Sequence, residues 1–213
     1  MQSLVAHILS RSPIGEGFVR LLVLCREGGV RLILQRAPAG AGSRRPRIPL
    51  PDLFDCAEFE VEQRDDGPGF VRDVRILATH PGLAKDWNRL SLASRLTRVV
   101  ADNRGSSEDA PLLFTLLAKA FLAMERGIRP DAAYLKAIFV MLRETGYPVR
   151  EDWALSLPAD QRADLETLLR TPLDDLQTPP DRVRVLTHRL ETWATNSLDL
   201  RFPEREADTL PIP

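Results

Sequence analysis

The residues of this chain best suited to chemistry are arginines. Arg44, Arg45 and Arg47 stand in the stretch APAGAGSRRPR beside Gly40 and Gly42, and Arg36 closes the apolar run before it. A guanidinium stays charged and presents a planar fork of donors that matches phosphate oxygens. Several on one glycine-bearing loop therefore suit a polyanion; a solvated surface loop is the plain alternative. Residues 1–50 carry eight arginines against only Glu16 and Glu27, a net +6, while the whole chain is −1. The charge is thus sorted along the sequence, with −5 in 51–80, +4 in 81–150 and −6 in 151–213. Such a balance excludes a protein that coats nucleic acid over its whole surface. It permits a basic face with acidic flanks.

The other candidates for chemistry point away from catalysis. His7 lies in an apolar run, His80 at a Thr-His-Pro-Gly junction and His188 on the polar side of a helical pattern. None is arranged with Ser, Cys or a carboxylate like a triad. Glu58, Glu60 and Glu62 alternate with Ala57, Phe59 and Val61, which is the pattern of a half-buried strand with one solvated acidic face. Such a row would repel phosphates and confine nucleic acid to the second and third strands and the loop. Cys25 and Cys56 lack metal-ligand spacing and read as small buried hydrophobes. Neither a Walker sequence nor a GxGxxG occurs. We therefore expect no catalytic residue, no metal and no cofactor, and a protein that is not an enzyme.

Three short apolar runs, Leu4–Arg11, Phe18–Arg26 and Val30–Arg36, are separated by SPIGEG and EGG and read as a strand meander. Pro49-Leu50-Pro51 blocks a central strand. Cys56–Arg64 is the fourth strand, DDGPG a turn, and Phe70–Ala78 the returning strand, with Arg72 and Arg75 available to the glutamates. Five strands with a long link between the third and fourth predict a small closed barrel, best matched by an OB-fold. On the second strand Phe18, Arg20, Leu22, Leu24 and Arg26 share a face; on the third, Arg31 alternates with Leu32. Phe18 is the only obvious stacking aromatic there, so binding should be mainly electrostatic, sequence-independent and salt-sensitive.

From His80 onward the pattern is helical. Leu83, Trp87, Leu90, Leu96 and Val100 recur at helical spacing as far as about Gly105. A second helix, with Asp109 as N-cap and Pro111 in its first turn, runs through LLFTLLAKAFLAM to Gly127, and its apolar character predicts the buried centre of a second domain. A third follows Pro130, with Leu135, Ile138, Phe139 and Leu142 inward, and ends at Gly146-Tyr147-Pro148. Residues 149–158 read as a connector without secondary structure. Helices over 159–170 and 180–197 follow, the last with Val183, Leu186, Leu190 and Trp193 on one face; residues 201–213 read as a poorly ordered tail. The expected fold is α+β, with an OB barrel over 1–80 and a helical domain over 81–213. No apolar run approaches the roughly 20 residues of a membrane span and no secretory start is present, which predicts a cytoplasmic protein.

The order AHILSRSPIGEGFVRLLVLCREGGVRLILQRAP, a basic Gly/Arg loop and CAEFEVEQR resembles the N-terminal OB domain of the RecO family of bacterial recombination mediators. PDAAYLKAIFVMLRETGYP is similar to the family helix that ends in an LGY-type turn, and THRLETWATNSLDLRF to its last helix. The likeness covers nearly the whole chain, and the order of motifs carries it. It implies a nucleoid-associated DNA repair and recombination protein without enzymatic activity. Such a protein binds single- and double-stranded DNA, anneals complementary strands, and works with RecR to load RecA onto DNA coated by single-strand DNA-binding protein (SSB). It implies DNA contacts at Arg20, Arg31, Arg36, Arg44, Arg45 and Arg47, and docking of the SSB C-terminal tail at Lys136 with Phe139. Many family members insert a cysteine-rich zinc segment after the GY turn. Here VREDWALSLP holds no Cys or His, so four-ligand zinc is excluded at that place. The alternative is an OB-fold protein-interaction module with little DNA binding, which the short helical domain, near-neutral charge and few aromatics favour.

Overall fold

Five strands close on themselves, the first dividing its length between two neighbours. A computed structural model describes residues 1–15, 17–37, 48–63, 67–103 and 106–203. Its strands are β1 (Gln2–Ile14), β2 (Phe18–Cys25), β3 (Gly29–Arg36), β4 (Cys56–Glu62) and β5 (Gly69–Ala78), closed in the order β1-β2-β3-β5-β4. The first half of β1, Gln2–His7, pairs with β4, and Ala6–Ile14 pairs with β2. A bulge between Ile8 and Ser10 bends and twists the strand between its two partners. β3 and β5 are joined in parallel through Ile33↔Gly69 and Leu34↔Phe70. Glycine is favoured at that join, since a Cβ on Gly69 would clash with the Val61 side chain. The architecture is α+β, an OB-type barrel followed by helices.

Strict alternation sorts the strand residues between two cores. Leu4, Ala6, Ile8, Leu21, Val23, Cys25, Ile33, Ala57, Phe59 and Val61 fill the barrel. Leu9, Leu24, Phe54 and Cys56 instead join the helical core, with Val5 packed against it. β2 therefore passes from an open outer face at Phe18 and Arg20 to a covered one at Leu24. Both cysteines are free and buried, and desolvation raises both thiols, Cys25 to about 11, as befits small apolar fillers.

The helices are α1 (Trp87–Asp102), α2 (Ala110–Arg126), α3 (Pro130–Glu144), α4 (Ala159–Arg170) and α5 (Pro180–Leu198). The centre of the helical domain is α3, not α2 as its composition predicts. Nine of the fifteen α3 residues are buried, whereas α2 has seven of seventeen and exposes Leu122. The reason is tertiary: α2, together with α1, meets the barrel, and α3 packs among α1, α2, α4 and α5. Asp109 makes no side-chain cap; a short 3-10 turn, Ser107–Asp109, leads directly into α2, and the Ser106 hydroxyl caps that turn. The stretch expected to lack structure after Pro148 instead forms a wide helical turn, Val149–Ala154, because Val149 and Trp153 are drawn into the core and Trp153 packs on Phe139. Trp87, placed inward by spacing alone, is 66 % exposed. It is the first residue of α1, just after the Asp86 cap, where the helix has not yet met its neighbours.

The barrel and helices meet around two histidines. His7 lies on the outward register of β1, its ring 4.3 Å from Phe114 and 5.8 Å from Phe121. His80 packs on Phe121, and its Nδ1 lies 3.0 Å from Glu125 Oε2; the other Glu125 oxygen accepts the Gly82 N–H. Arg26 stacks over Phe114 at 5.0 Å. Burial would raise the Glu125 carboxyl, but the His80 and Gly82 hydrogen bonds outweigh it and hold it below its ordinary value. No helix among the described residues is long and apolar enough to cross a membrane.

Candidate nucleic-acid interface

The outer face of β2, β3 and β5 gathers the basic and aromatic groups. Phe18 is the register partner of Arg36, whose guanidinium carbon lies 5.7 Å from the Phe18 ring centre, within cation–π range. Phe70 reaches the same spot from the parallel strand, edge to face with Phe18 at 5.9 Å. Arg20 opposes Leu34, and Leu34 opposes Phe70, so these side chains share one surface. Leu32 is partly exposed further along it. Phe18 and Phe70 are half-buried, while Arg20 and Arg36 are exposed.

Both ends of the arginine-rich segment are rooted beside this cluster. At its start the Ala37 N–H donates to the Gly17 carbonyl at 2.8 Å. At its end Ile48 and Leu50 pack on the barrel core, and Gln35 Nε2 donates to the Pro49 carbonyl at 2.7 Å. Both anchors, Gln35 and Ala37, are the chain neighbours of Arg36. Arg44, Arg45 and Arg47 themselves lie outside the described residues.

Arg31 is not part of the cluster. It shares the inward register of Ile33 and Gln35, and its guanidinium donates to Gln2 Oε1 at 3.1 Å at the mouth of the barrel. There it lines a cavity of about 300 Å³ with Leu4 and Gln63. It is five residues from Arg36, roughly 17 Å along an extended strand, and on the opposite face. Alternation with Leu32 is legible in the sequence, but not which of the two faces inward. Phe70 is the residue that sequence reasoning missed. Its signal is an aromatic opening the strand after the DDGPG turn; its meaning depends on the parallel β3–β5 pairing, which no local pattern announces.

The acidic row lies on β4 with its outward register confirmed, and the expected pairs form. Arg75 Nη2 lies 2.6 Å from Glu58 Oε2, and Arg72 pairs with Glu62. The Arg75 hydrogen bond holds the Glu58 carboxyl below its ordinary value. Arg72 shares the outer face with Phe70, yet its charge is engaged by Glu62. Glu60 stays exposed.

The helical pair Lys136 and Phe139 does not form an accessible site. Phe139 is 1 % exposed, enclosed by the core and packed on Trp153. Lys136 donates its ammonium to the Thr171 carbonyl at 2.6 Å, and desolvation lowers its pKa. It satisfies the C-terminus of α4. Three residues along a helix is close to one turn, but α3 is covered on nearly every side, so a position three residues from a lysine is interior here. The exposed His188 stands apart from the other two histidines on α5. Among the described residues no group of three or more His, Cys, Asp or Glu is placed to hold a metal. No protein-family model matches the chain, and no curated protein matches its sequence.

Proposed function

We propose that this protein binds single- and double-stranded DNA along the outer face of β2, β3 and β5, with phosphate contacts also from Arg44, Arg45 and Arg47. In this reading it is a recombination mediator similar to RecO. It anneals strands and, with RecR and SSB, assists RecA loading. The observation that carries the reading is the Phe18–Arg36–Phe70 cluster at the root of the arginine loop. It pairs aromatic surface with guanidinium charge, the combination that single-strand binders use to stack bases and hold the backbone.

Contacts from Arg20, Arg36, Arg44, Arg45 and Arg47 would give five phosphate interactions. For single strands these predict a slope of log affinity against log salt of about −3.5, or roughly a hundredfold loss between 50 and 200 mM salt. Fluorescence anisotropy of labelled single-stranded DNA across a salt series tests this directly. Salt-independent affinity, or full affinity after Arg44→Ala/Arg45→Ala/Arg47→Ala, overturns it. A second reading, a protein-interaction module on the same barrel, has one observation in its favour. The two β5 arginines, Arg72 and Arg75, are already held by Glu62 and Glu58. Capture of RecR or SSB without any shift of labelled DNA selects that reading.

A further inference from the structure

Two adjoining cavities share one row of α1 as a common wall and together make a groove. The first, about 330 Å³, is bounded by Leu53, Arg98 and Pro203; the second, about 570 Å³, by Ile128, Arg129 and Arg184. Trp87, Ser91 and Arg95 line both. The groove exposes two large apolar side chains, Trp87 at 66 % and Ile128 at 56 %. Exposed aromatic surface flanked by charge is the usual mark of a binding site.

The chain itself is led into this groove. Helix α5 ends at Asp199 in the left-handed region, φ 55°, and the Leu200 N–H bonds back to the Ala194 carbonyl. Asn103 then clamps Arg201 from both sides: its Oδ1 accepts the Arg201 N–H, and its Nδ2 donates to the Arg201 carbonyl, each at 2.7 Å. The Pro203 carbonyl accepts from Arg95 Nη1 at 3.0 Å. Residues 201–203 are therefore hydrogen-bonded to α1 and the residue that follows it. The chain is thus delivered to the groove wall at Pro203.

The residues that follow, EREADTLPIP, complement the walls. Glu204, Glu206 and Asp208 stand against one arginine, Arg205; the groove lining has four arginines against two carboxylates, Asp131 and Glu191. Both of those carboxylates are already engaged, Asp131 by Arg129 and Glu191 by Arg95 and Tyr134. Arg98 and Arg184 are exposed, and their ion pairs, with Asp102 and Asp181, are surface pairs within one helix that a ligand can share. Leu210, Pro211 and Ile212 supply apolar surface after the acidic half. Ten extended residues reach roughly 33 Å, ample for both cavities.

We propose that residues 204–213 occupy this groove in cis, their carboxylates on Arg98 and Arg184, and Leu210 and Ile212 over Trp87 and Ile128. Tethering at Pro203 supplies an effective concentration on the order of millimolar, so a weak contact is sufficient. An acidic, apolar-ended segment of another protein would have to displace this one. The inference concerns the helical domain alone and does not depend on the DNA reading.

The test uses quenching of tryptophan fluorescence by acrylamide. Trp153 is 2 % exposed and Trp193 half-buried, so the accessible signal is chiefly Trp87. In the full chain, Leu210→Asp/Ile212→Asp should raise the quenching constant about twofold with unchanged circular dichroism, and Trp87→Phe should abolish the difference. A synthetic peptide of residues 204–213 should protect Trp87 saturably in a chain ended at Pro203. Equal quenching of the full chain and its double variant overturns the proposal. If the peptide nevertheless protects, the groove serves a partner segment in trans and the cis contact is refuted.

Discussion

Phe18 and Phe70 meet edge to face at 5.9 Å although their strands do not pair and β3 lies between them. Neither ring is fully buried, so the pair presents stacking surface beside Arg36. Base stacking contributes about 1–3 kcal/mol per base in single-strand binders. Phe70→Ala should therefore weaken single-stranded DNA binding roughly 5- to 150-fold while leaving the salt slope unchanged. Arg36→Ala should instead lower the slope by about 0.7. Anisotropy at several salt concentrations separates the two.

Arg72 sits on the face of Phe70 but is held by Glu62. Glu62→Gln removes that carboxylate from the edge of the interface. Affinity for DNA should rise several-fold at low salt, with a steeper salt dependence. Folding stability should change by less than about 1 kcal/mol, since both side chains are largely exposed. Parallel anisotropy and urea titrations measure both.

Burial, aided by the charge of His80, lowers His7 from its ordinary 6.5 to about 4. Among the described residues neither of its ring nitrogens has a hydrogen-bond partner. The unfolded chain takes up a proton near pH 6.5 that the folded chain refuses until about pH 4. Stability from the neutral ring is thus fully present above 6.5 and is lost as pH falls to about 4, by about 3 kcal/mol. His7→Phe should fit between Phe114 and Phe121 and flatten urea stability against pH across that window. An unchanged slope would remove His7 from the account.

Tyr134 Oη donates to Glu191 Oε1 at 2.8 Å, and Arg95 Nη2 donates to the same oxygen at 2.9 Å. Burial, then the Glu191 charge, raises the Tyr134 pKa far above its ordinary value, so the phenol stays a donor. Glu191→Ala leaves Arg95 and Tyr134 buried without their acceptor. It should cost about 3–5 kcal/mol in chemical denaturation, and Glu191→Gln markedly less.

What is legible in the sequence is what local periodicity writes. The five strands and five helices are read within a few residues. The DDGPG hairpin even predicts the pairing of Arg72 and Arg75 with the glutamates, because a turn sets the register of the strands it joins. Most of the differences concern faces. Arg31 turns into the barrel mouth while Arg20 and Arg36 stay outside; Phe139 is sealed in the core; Trp87 is left in solvent; Phe70 arrives beside Phe18. Period two or 3.6 divides an element into sides without saying which side another element will cover.

By itself, the sequence determines five strands, a helical body and an arginine-rich stretch between the third and fourth strands, since each depends on neighbouring residues alone. Only the tertiary structure decides that this stretch is rooted beside two aromatic rings, and that the chain after α5 is delivered to a groove under Trp87. Both arise from contacts between residues far apart in sequence. Closure of the barrel and packing around α3 create them.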